Sequence, residues 1–420
     1  MIRRVFVVLL VAAAGLAAGL LSGCGSSASA GGRATLNWYV FPEHSGAFDQ
    51  AASDCSQASG GRYTISIQTL PSDADSQRQQ LVRRLAAKDS SIDIIGMDVV
   101  WTPEFAEAGW LRPWTGAPAQ EVTAGTLAVP IQTASYKGKL YGAPDNSNTQ
   151  LLWYRKDLVP TPPQTWDQMI AMAAALAKQG KPHYIEIQGK QYEGLMVWFN
   201  TLVNSAGGTI LSGPTTVALG PPAAVAAGVM RHLATSVAAD PSLTNQQEDD
   251  NRLAFEKGVA AFEINYPFVY PSAQMNTPKI AAQMGYARYP AITAGKPSRV
   301  TIGGLNLGVS TYSTHPAEAF QAAACLRNAA HQKVGAIKGG LPPTLTALYD
   351  DPSLAKPYPF HDLIKQQLST ASVRPQTPLY SDVSLAVQKT LSPPSAADTK
   401  TIVSDLESEL KKALSSSDLI

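Results

Sequence analysis

The sequence predicts an α/β fold of two lobes that are joined by a hinge and enclose a ligand cleft. Strand-like and helix-like segments alternate from residue 35 onward, and 420 residues are enough for two domains. A cysteine late in the chain can also pair with one near its beginning. Together these observations indicate that the chain leaves one domain and later returns to it.

The first lobe is predicted from alternating segments in the N-terminal part of the chain. Period-two alternation and apolar runs indicate strands, and amphipathic stretches between them indicate helices. The predicted order is strand 35–40, helix 46–58, strand 62–68, helix 75–88, strand 92–99 and a helix opened by Thr102-Pro103. A repeated strand–helix order favours a parallel sheet covered by helices.

The second lobe is predicted to begin near residue 149. Its expected elements are strand 151–154, helices 166–179, 195–206 and 223–235, strand 260–265 and the C-terminal helix 400–414. Strand 300–309 and helix 316–329 then return the chain to the first lobe. The predicted lobes are 35–148 plus 304–352, and 149–303 plus 353–420.

The N-terminal segment predicts export and a lipid anchor. A short basic segment precedes an apolar run over 5–21, and residues 21–24 (LSGC) have the form of a bacterial lipobox. We expect residues 1–23 to be a signal peptide, Cys24 to carry the lipid, and residues 24–34 to be a flexible tether. The alternative is a plain secretory signal with an incidental cysteine.

The remaining cysteines, Cys55 and Cys325, form an even pair in an oxidising compartment. A disulfide between them is therefore predicted. Two buried free thiols are the alternative. The bridge would place the helix that carries Cys325 in the first lobe.

Composition and motifs argue against several other classes of protein. The chain has 33 Lys and Arg residues against 32 Asp and Glu, and no basic stripe, so no nucleic-acid partner is expected. It also lacks a His-Glu-x-x-His zinc motif, a phosphate loop and a Gly-x-Ser-x-Gly elbow, so neither metal, cofactor nor enzyme activity is expected. A secreted glycosidase using Asp98 and Glu248, and a structural surface lipoprotein without a ligand, remain as alternatives.

Several segments resemble the sugar-binding components of carbohydrate ABC importers: residues 93–101, 162–168 and 303–306. Others are similar to the mycobacterial trehalose-binding lipoproteins of that family: residues 148–154, 252–256, 339–342 and 373–375. The resemblance implies a type II periplasmic-binding-protein fold in a monomer on the outer face of the cell membrane. It also implies capture of a disaccharide, trehalose or alternatively maltose or another glucoside, and delivery to a permease and its ATPase.

A sugar site needs carboxylates, amides and arginine for the hydroxyl groups, and aromatic rings for the sugar face. Residue types, their places in the predicted fold and the resemblance imply these candidates: Asp98, Asn148, Glu248, Tyr266, Gly303, Gly304 and Arg374, with Glu43 and Glu193 as weaker ones. Each has a structural alternative, such as a helix cap for Asp98, a bulge for the glycines, or a surface salt bridge for Arg374. Tyr266 stands where the trehalose-binding lipoproteins have tryptophan, and the following stretch to Val300 is shorter here.

Tryptophans are a further source of aromatic surface for a sugar. Trp101, Trp110 and Trp114 are expected around the rim of the first lobe, and Trp153 and Trp198 in the core.

Overall fold

The structure is a computed structural model that describes residues 33–415. Its strands are β1 (Ala34–Val40), β2 (Tyr63–Thr69), β3 (Ile94–Asp98), β4 (Leu111–Arg112), β5 (Ser135–Tyr136), β6 (Lys139–Leu140), β7 (Gly142–Asn148), β8 (Leu151–Arg155), β9 (Tyr184–Glu186), β10 (Ala260–Asn265), β11 (Met284–Ala287) and β12 (Gly303–Ser310).

The described chain also contains sixteen α-helices. They are α1 (Ala47–Ala58), α2 (Ala74–Ala86), α3 (Thr102–Glu107), α4 (Gly116–Thr123), α5 (Ala128–Thr133), α6 (Trp166–Ala177), α7 (Glu193–Ser205), α8 (Pro221–Ala234), α9 (Glu248–Glu256), α10 (Val269–Asn276), α11 (Pro278–Gln283), α12 (Pro316–Leu326), α13 (Ala329–Val334), α14 (His361–Leu368), α15 (Tyr380–Leu391) and α16 (Ile402–Ser415). None of the helices between residues 33 and 415 has the length and apolar character needed to cross a membrane.

The first sheet has six strands in the order β2-β1-β3-β12-β4, with β7 also paired to β12. β1 runs parallel to β2 and β3, as the repeated strand–helix order predicts. β12 comes from the distant second half of the chain and is antiparallel to β3, β4 and β7. The carboxyl end of β3 therefore lies beside the beginning of β12, where the candidate residues Asp98 and Gly304 are found.

The second sheet has four strands in the order β11-β8-β10-β9. β7 ends in the first sheet at Asn148 and β8 begins in the second at Leu151, so the chain crosses between the sheets at Thr149 and Gln150, both buried. It returns to the first sheet at β12. Two sheets linked in this way give the expected two-lobed α/β architecture, while the lobe boundaries given above remain predictions.

The tryptophan side chains correct one expectation. Trp101, Trp110 and Trp114 are 3–4% exposed and pack in apolar clusters, so they are core residues and not rim residues. Trp101 stacks on Phe105 with 5.8 Å between ring centroids. A tryptophan without exposed ring surface has no face to offer a sugar.

The predicted disulfide is confirmed. Cys55 on α1 and Cys325 on α12 are bonded across 270 residues of sequence. Both helices pack in the same apolar cluster on the first sheet. The late helix therefore belongs with the N-terminal part of the chain, as the cysteine pairing indicates.

Replacing both cysteines by serine in a C55S/C325S variant should lower the free energy of unfolding by about 2–4 kcal/mol, because the unfolded chain gains the freedom of a very long loop. Denaturant unfolding of the oxidised wild type and the variant measures this difference. Equal midpoints for the two proteins would contradict the stabilising role of the bridge.

Two buried carboxylates face each other in the second sheet. Glu186 and Glu263 are register partners on the parallel strands β9 and β10, and neither is exposed to solvent. Each accepts one side-chain hydrogen bond, Glu186 from Gln246 at 2.5 Å and Glu263 from Asn265 at 2.7 Å. Burial raises the pKa of each carboxyl to about 8.

These carboxyl groups make stability depend on pH with a defined sign. A folded pKa near 8, above the ordinary value of 4.5, stabilises the fold at low pH, and the stabilisation is lost as pH rises through 8. Glu263→Gln should therefore flatten the fall in unfolding free energy between about pH 5 and pH 8. Denaturant unfolding across this range tests the prediction, with the exposed Glu121→Gln as control. An unchanged pH profile in Glu263→Gln would contradict it.

Candidate functional site

A buried arginine holds carboxylates from two distant parts of the fold. Arg374 Nη2 donates to Asp98 Oδ1 at 2.7 Å, and Nη1 donates to Glu193 Oε1 at 2.6 Å. Asp98 ends β3 in the first sheet, and Glu193 is the first residue of α7. The Arg374 side chain is 2% exposed, whereas that of Asp98 is 22% exposed. Arg374 is therefore a buried ion-pair partner, and the alternative of a surface salt bridge is wrong.

Glu193 is fully engaged by protein groups. In addition to Arg374, it accepts hydrogen bonds from the hydroxyl groups of Tyr380 and Ser384, both on α15. Burial raises the pKa of Glu193 to about 7, and the nearby Arg374 opposes this rise. The Glu193 carboxylate therefore positions Arg374 and has little acceptor capacity left for a ligand.

The beginning of α7 is also tied to the helical layer of the first sheet. The Glu193 backbone N–H donates to Asp75 Oδ2, on α2, at 3.2 Å. Asp75 is the second residue of α2, two positions after the capping residue Asp73. This contact and the Asp98–Arg374 pair are links of the same kind, since each joins the first sheet and its helices to elements that follow β8.

Two buried polar atoms of this region, Asn148 Oδ1 and Arg374 Nε, have no hydrogen-bond partner among residues 33–415. The buried Tyr192 hydroxyl lies beside the Glu248 carboxylate. Buried polar groups in folded proteins are nearly always paired. An unpaired one costs roughly 1–3 kcal/mol. Other unpaired buried atoms lie elsewhere in the described chain, so it is the grouping of these atoms with Asp98 that makes this region the candidate site for a polar ligand.

Asn148 and Tyr266 meet at Gly303. A Cβ atom built on Gly303 would lie 3.4 Å from Asn148 Cβ and 4.0 Å from Tyr266 Cε1. Asn148 and Gly303 are also register partners in the pairing of β7 with β12. The amide, the glycine and the aromatic ring therefore border the same small region at the crossing between the sheets.

Glu248 and Tyr192 extend this region. Burial raises the pKa of the Tyr192 hydroxyl, and the nearby Glu248 carboxylate and Tyr266 hydroxyl raise it further. Burial likewise raises the pKa of Tyr266, with Glu248 and Asp98 adding to the rise and Arg374 opposing it. The interactions of Tyr192 with Glu248 and Tyr266, and of Tyr266 with Asp98 and Arg374, make these groups neighbours in the same region.

Glu248 is held by its helix. It is the first residue of α9, and its backbone carbonyl accepts a hydrogen bond from Asn265 Nδ2 at 2.9 Å. Asn265 Oδ1 accepts from the Tyr266 N–H at 2.8 Å, so one amide side chain links the two candidates. An acidic side chain is stabilised at a helix N-terminus, which is the structural alternative for Glu248. Glu248 also borders the candidate site.

Gly304 permits a very close approach of two strands. Its φ of +122° is one that residues with a side chain rarely adopt. A Cβ atom built on Gly304 would lie 2.3 Å from the carbonyl oxygen of Asn146. The irregular register of β7 with β12 falls between Leu305 and Asn306, so the bulge is not at the glycine pair itself.

Glu43 lies on the loop between β1 and α1. Its two carboxylate oxygens accept the backbone N–H groups of Ser45 at 2.8 Å and Ala47 at 2.9 Å, which stabilises the start of α1. A Cβ atom on Gly339 would lie 3.1 Å from Glu43 Oε1. The hydrogen bonds of Glu43 within the described chain are local, and they give it a structural role on the loop after β1.

The structure thus brings together most of the candidates from the sequence. Hydrogen bonds join Asp98, Glu193 and Arg374, and contacts join Asn148, Gly303 and Tyr266. Sequence reasoning missed Tyr192, whose buried hydroxyl lies beside Glu248. The available signal was its position directly before Glu193, at the N-terminus of an apolar helix.

Comparison with known proteins gives consistent results. Residues 47–333 match the family described as bacterial extracellular solute-binding protein. A probable ABC transporter-binding protein of Deinococcus radiodurans is 30% identical over 328 residues, which cover 75% of this chain and 77% of the relative.

Solved structures share the fold. Maltose-bound MalE3 of T. maritima superposes with a TM-score of 0.84 at 24% identity, covering 90% of this chain and 99% of the other. A solute-binding protein of Thermotoga lettingae bound to α-D-tagatose gives a TM-score of 0.78 at 22% identity, covering 91% and 100%. At these identities the likeness establishes a periplasmic-binding-protein fold of the maltose-binding type.

The glycine pair offers a matched test of the strand crossing. Gly304→Ala should lower the free energy of unfolding by more than about 1 kcal/mol, because the new Cβ meets the Asn146 carbonyl and the backbone conformation is strained. Gly303→Ala should cost less, since its nearest contact is an ordinary 3.4 Å. Denaturant unfolding of both variants decides this, and equal losses would contradict the account of Gly304.

Proposed function

The chain belongs to the bacterial extracellular solute-binding protein family, and from this premise we propose that it binds a disaccharide between its lobes and delivers it to an ABC importer. The observation that carries the proposal is the grouping of the unpaired Asn148 Oδ1 and the buried Tyr192 hydroxyl with the Asp98–Arg374 ion pair. Asn148 Oδ1 needs a partner that the described protein does not supply.

The chemistry of the site suits a sugar. Asp98 keeps partial exposure and acceptor capacity, Asn148 Oδ1 accepts, and the Tyr192 hydroxyl can donate or accept. Tyr266 supplies an aromatic ring for the weakly apolar face of a sugar. A ring of hydroxyl groups satisfies such a mixed set better than a single charged group, which would face both Arg374 and the carboxylates of Asp98 and Glu248.

Transport is the role supported by the relatives. The Deinococcus radiodurans relative is named as a probable ABC transporter-binding protein. Binding proteins of this architecture act by closure, and ligand favours the closed state through its higher affinity for that state. The proposed partners are therefore permease subunits and their ATPase, with this chain acting as a monomer outside the cytoplasm.

Trehalose is the proposed disaccharide, on the resemblance to the mycobacterial lipoprotein LpqY. None of the matched proteins described above is named for trehalose, and the maltose complex of MalE3 favours maltose or a related glucoside as the second candidate. Tyr266 in place of tryptophan is a specific difference at the sugar face. The two linkages place the second glucose differently against this ring, so direct competition between the sugars separates them.

The family consists of substrate-binding proteins and not of enzymes. The site is consistent with a binding role, since the Glu193 carboxylate already accepts hydrogen bonds from Arg374, Tyr380 and Ser384. A glycosidase would need a pair of carboxyl groups free to act as acid and as nucleophile or base.

The lipid anchor is also proposed from sequence alone. Cys24 and the preceding signal peptide lie outside the described residues. The motif at residues 21–24 supports cleavage before Cys24 and attachment to the outer face of the membrane. Mass spectrometry of the N-terminal peptide from membrane-bound protein would detect the lipid on Cys24, and an unmodified Cys24 would contradict the anchor.

Removing either polar group should weaken sugar binding. Tyr192→Phe and Asn148→Ala should each weaken disaccharide binding by about 1–3 kcal/mol, or roughly 5- to 150-fold in Kd. Loss of Asn148 Oδ1 should not lower the stability of the ligand-free protein, because this oxygen has no protein partner to lose, whereas Tyr192→Phe also removes a contact with Glu248. Calorimetric titration with trehalose and maltose gives the affinity, and denaturant unfolding without sugar gives the stability.

Matched controls are available on the surface. Tyr286→Phe removes an exposed hydroxyl that bonds to Pro359, and Asn276→Ala removes an exposed amide. Both should bind sugar as the wild type does. Unchanged affinity in Tyr192→Phe and Asn148→Ala would contradict the site, and failure of the wild type to bind any sugar would contradict the function.

A further inference from the structure

A histidine that plays no part in the sugar site lies against the disulfide. His331, on α13, has its Nδ1 atom 3.8 Å from Cys55 Sγ. The candidate ligand atoms of Cys55, Cys325 and His331 all lie within 4.8 Å of one another. Once the disulfide is opened, two cysteine sulfur atoms and one imidazole are a typical donor set for zinc and other soft metal ions.

The surroundings of His331 fix the ring in a suitable orientation. Its Nε2 atom lies 3.5 Å from Asp54 Oδ2, and its backbone N–H is capped by Asn328 Oδ1 at 2.9 Å. Histidines that bind metals usually direct their other ring nitrogen at a carboxylate or carbonyl in this way. The His331 side chain is only 9% exposed, so few other orientations are open to it.

We propose that reduction of the Cys55–Cys325 bond creates a metal site, in which the two cysteine thiolates and His331 Nδ1 bind a soft divalent cation such as Zn²⁺. A dithiol reductant supplies two electrons and two protons and becomes a disulfide itself, while the S–S bond opens to two thiols. Metal binding then displaces one proton from each thiol. Solvent supplies the fourth position of the tetrahedral site.

The distances support this arrangement. Bonds of about 2.3 Å to sulfur and about 2.0 Å to nitrogen at a tetrahedral angle separate the two ligand atoms by roughly 3.5 Å. The observed separation of Cys55 Sγ and His331 Nδ1 is 3.8 Å. The two sulfur atoms need only move apart by side-chain rotation. Nδ1 also lies 2.9 Å from the Cys325 carbonyl oxygen, and this contact would give way to the metal.

The disulfide and the metal exclude each other, because a sulfur atom in a disulfide is not a thiolate. In the reduced protein the metal would take over the link between α1 and α12 that the disulfide provides in the oxidised protein. The chain would then keep its first lobe crosslinked in both redox states. Its sugar site, on other residues, would be unaffected.

Cobalt is a suitable probe because tetrahedral thiolate complexes of Co²⁺ have strong visible and near-ultraviolet bands. The full mature chain is reduced with a phosphine under nitrogen, freed of reductant and titrated with Co²⁺ and then Zn²⁺. We expect one Co²⁺ per reduced chain, displaced by Zn²⁺, and no such bands with the oxidised chain or with the C55S/C325S variant.

Variants assign the ligands. His331→Ala should weaken Co²⁺ binding to the reduced chain at least tenfold, and Asp54→Asn by about 10- to 100-fold. His361→Ala, which removes a histidine on α14, should leave it unchanged. Circular dichroism of each reduced protein monitors the fold. Absence of binding to the reduced wild type, whether folded or not, or undiminished binding by His331→Ala, would overturn the proposal.

Discussion

The buried guanidinium of Arg374 is the constraint on which the candidate site depends. A charge taken out of water is tolerated only with close partners, and here the partners are Asp98 and Glu193. Asp98 ends β3 and Glu193 begins α7. The two ion pairs of Arg374 therefore bring β3, α7 and the segment around residue 374 together. Loss of one partner would leave an uncompensated buried charge, which is more costly than loss of a surface ion pair.

This constraint divides the polar residues by role. The Glu193 carboxylate accepts hydrogen bonds from Arg374, Tyr380 and Ser384, and so it acts as a positioning residue. Asn148 keeps an oxygen that the described protein leaves unpaired, and the buried Tyr192 hydroxyl lies beside Glu248; these are the groups we assign to ligand contact. A framework that is ordered before the ligand binds increases affinity, because little conformational entropy is lost on binding.

Local patterns in the sequence predicted the local structure well. Alternation in residues 62–68 and the apolar run at 92–99 correspond to β2 and β3, and the cysteine pairing placed α12 against α1. The ion pairs of Arg374 with Glu193 and with Asp98 join residues 181 and 276 positions apart in the sequence. The hydrophobic periodicity of a segment does not predict contacts between such distant residues. For the same reason the burial of Trp101 and the position of the Tyr192 hydroxyl beside Glu248 could not be predicted, since both depend on residues that are distant in the sequence.

A crystal structure of the mature chain with bound trehalose, or with maltose if that sugar binds more tightly, tests the central claim most directly. The account predicts sugar hydroxyl groups within hydrogen-bond distance of Asn148 Oδ1 and the Tyr192 hydroxyl, with the sugar beside Tyr266 and the Asp98–Arg374–Glu193 ion pair intact. A sugar bound elsewhere, with ordered water on those two atoms, would contradict it.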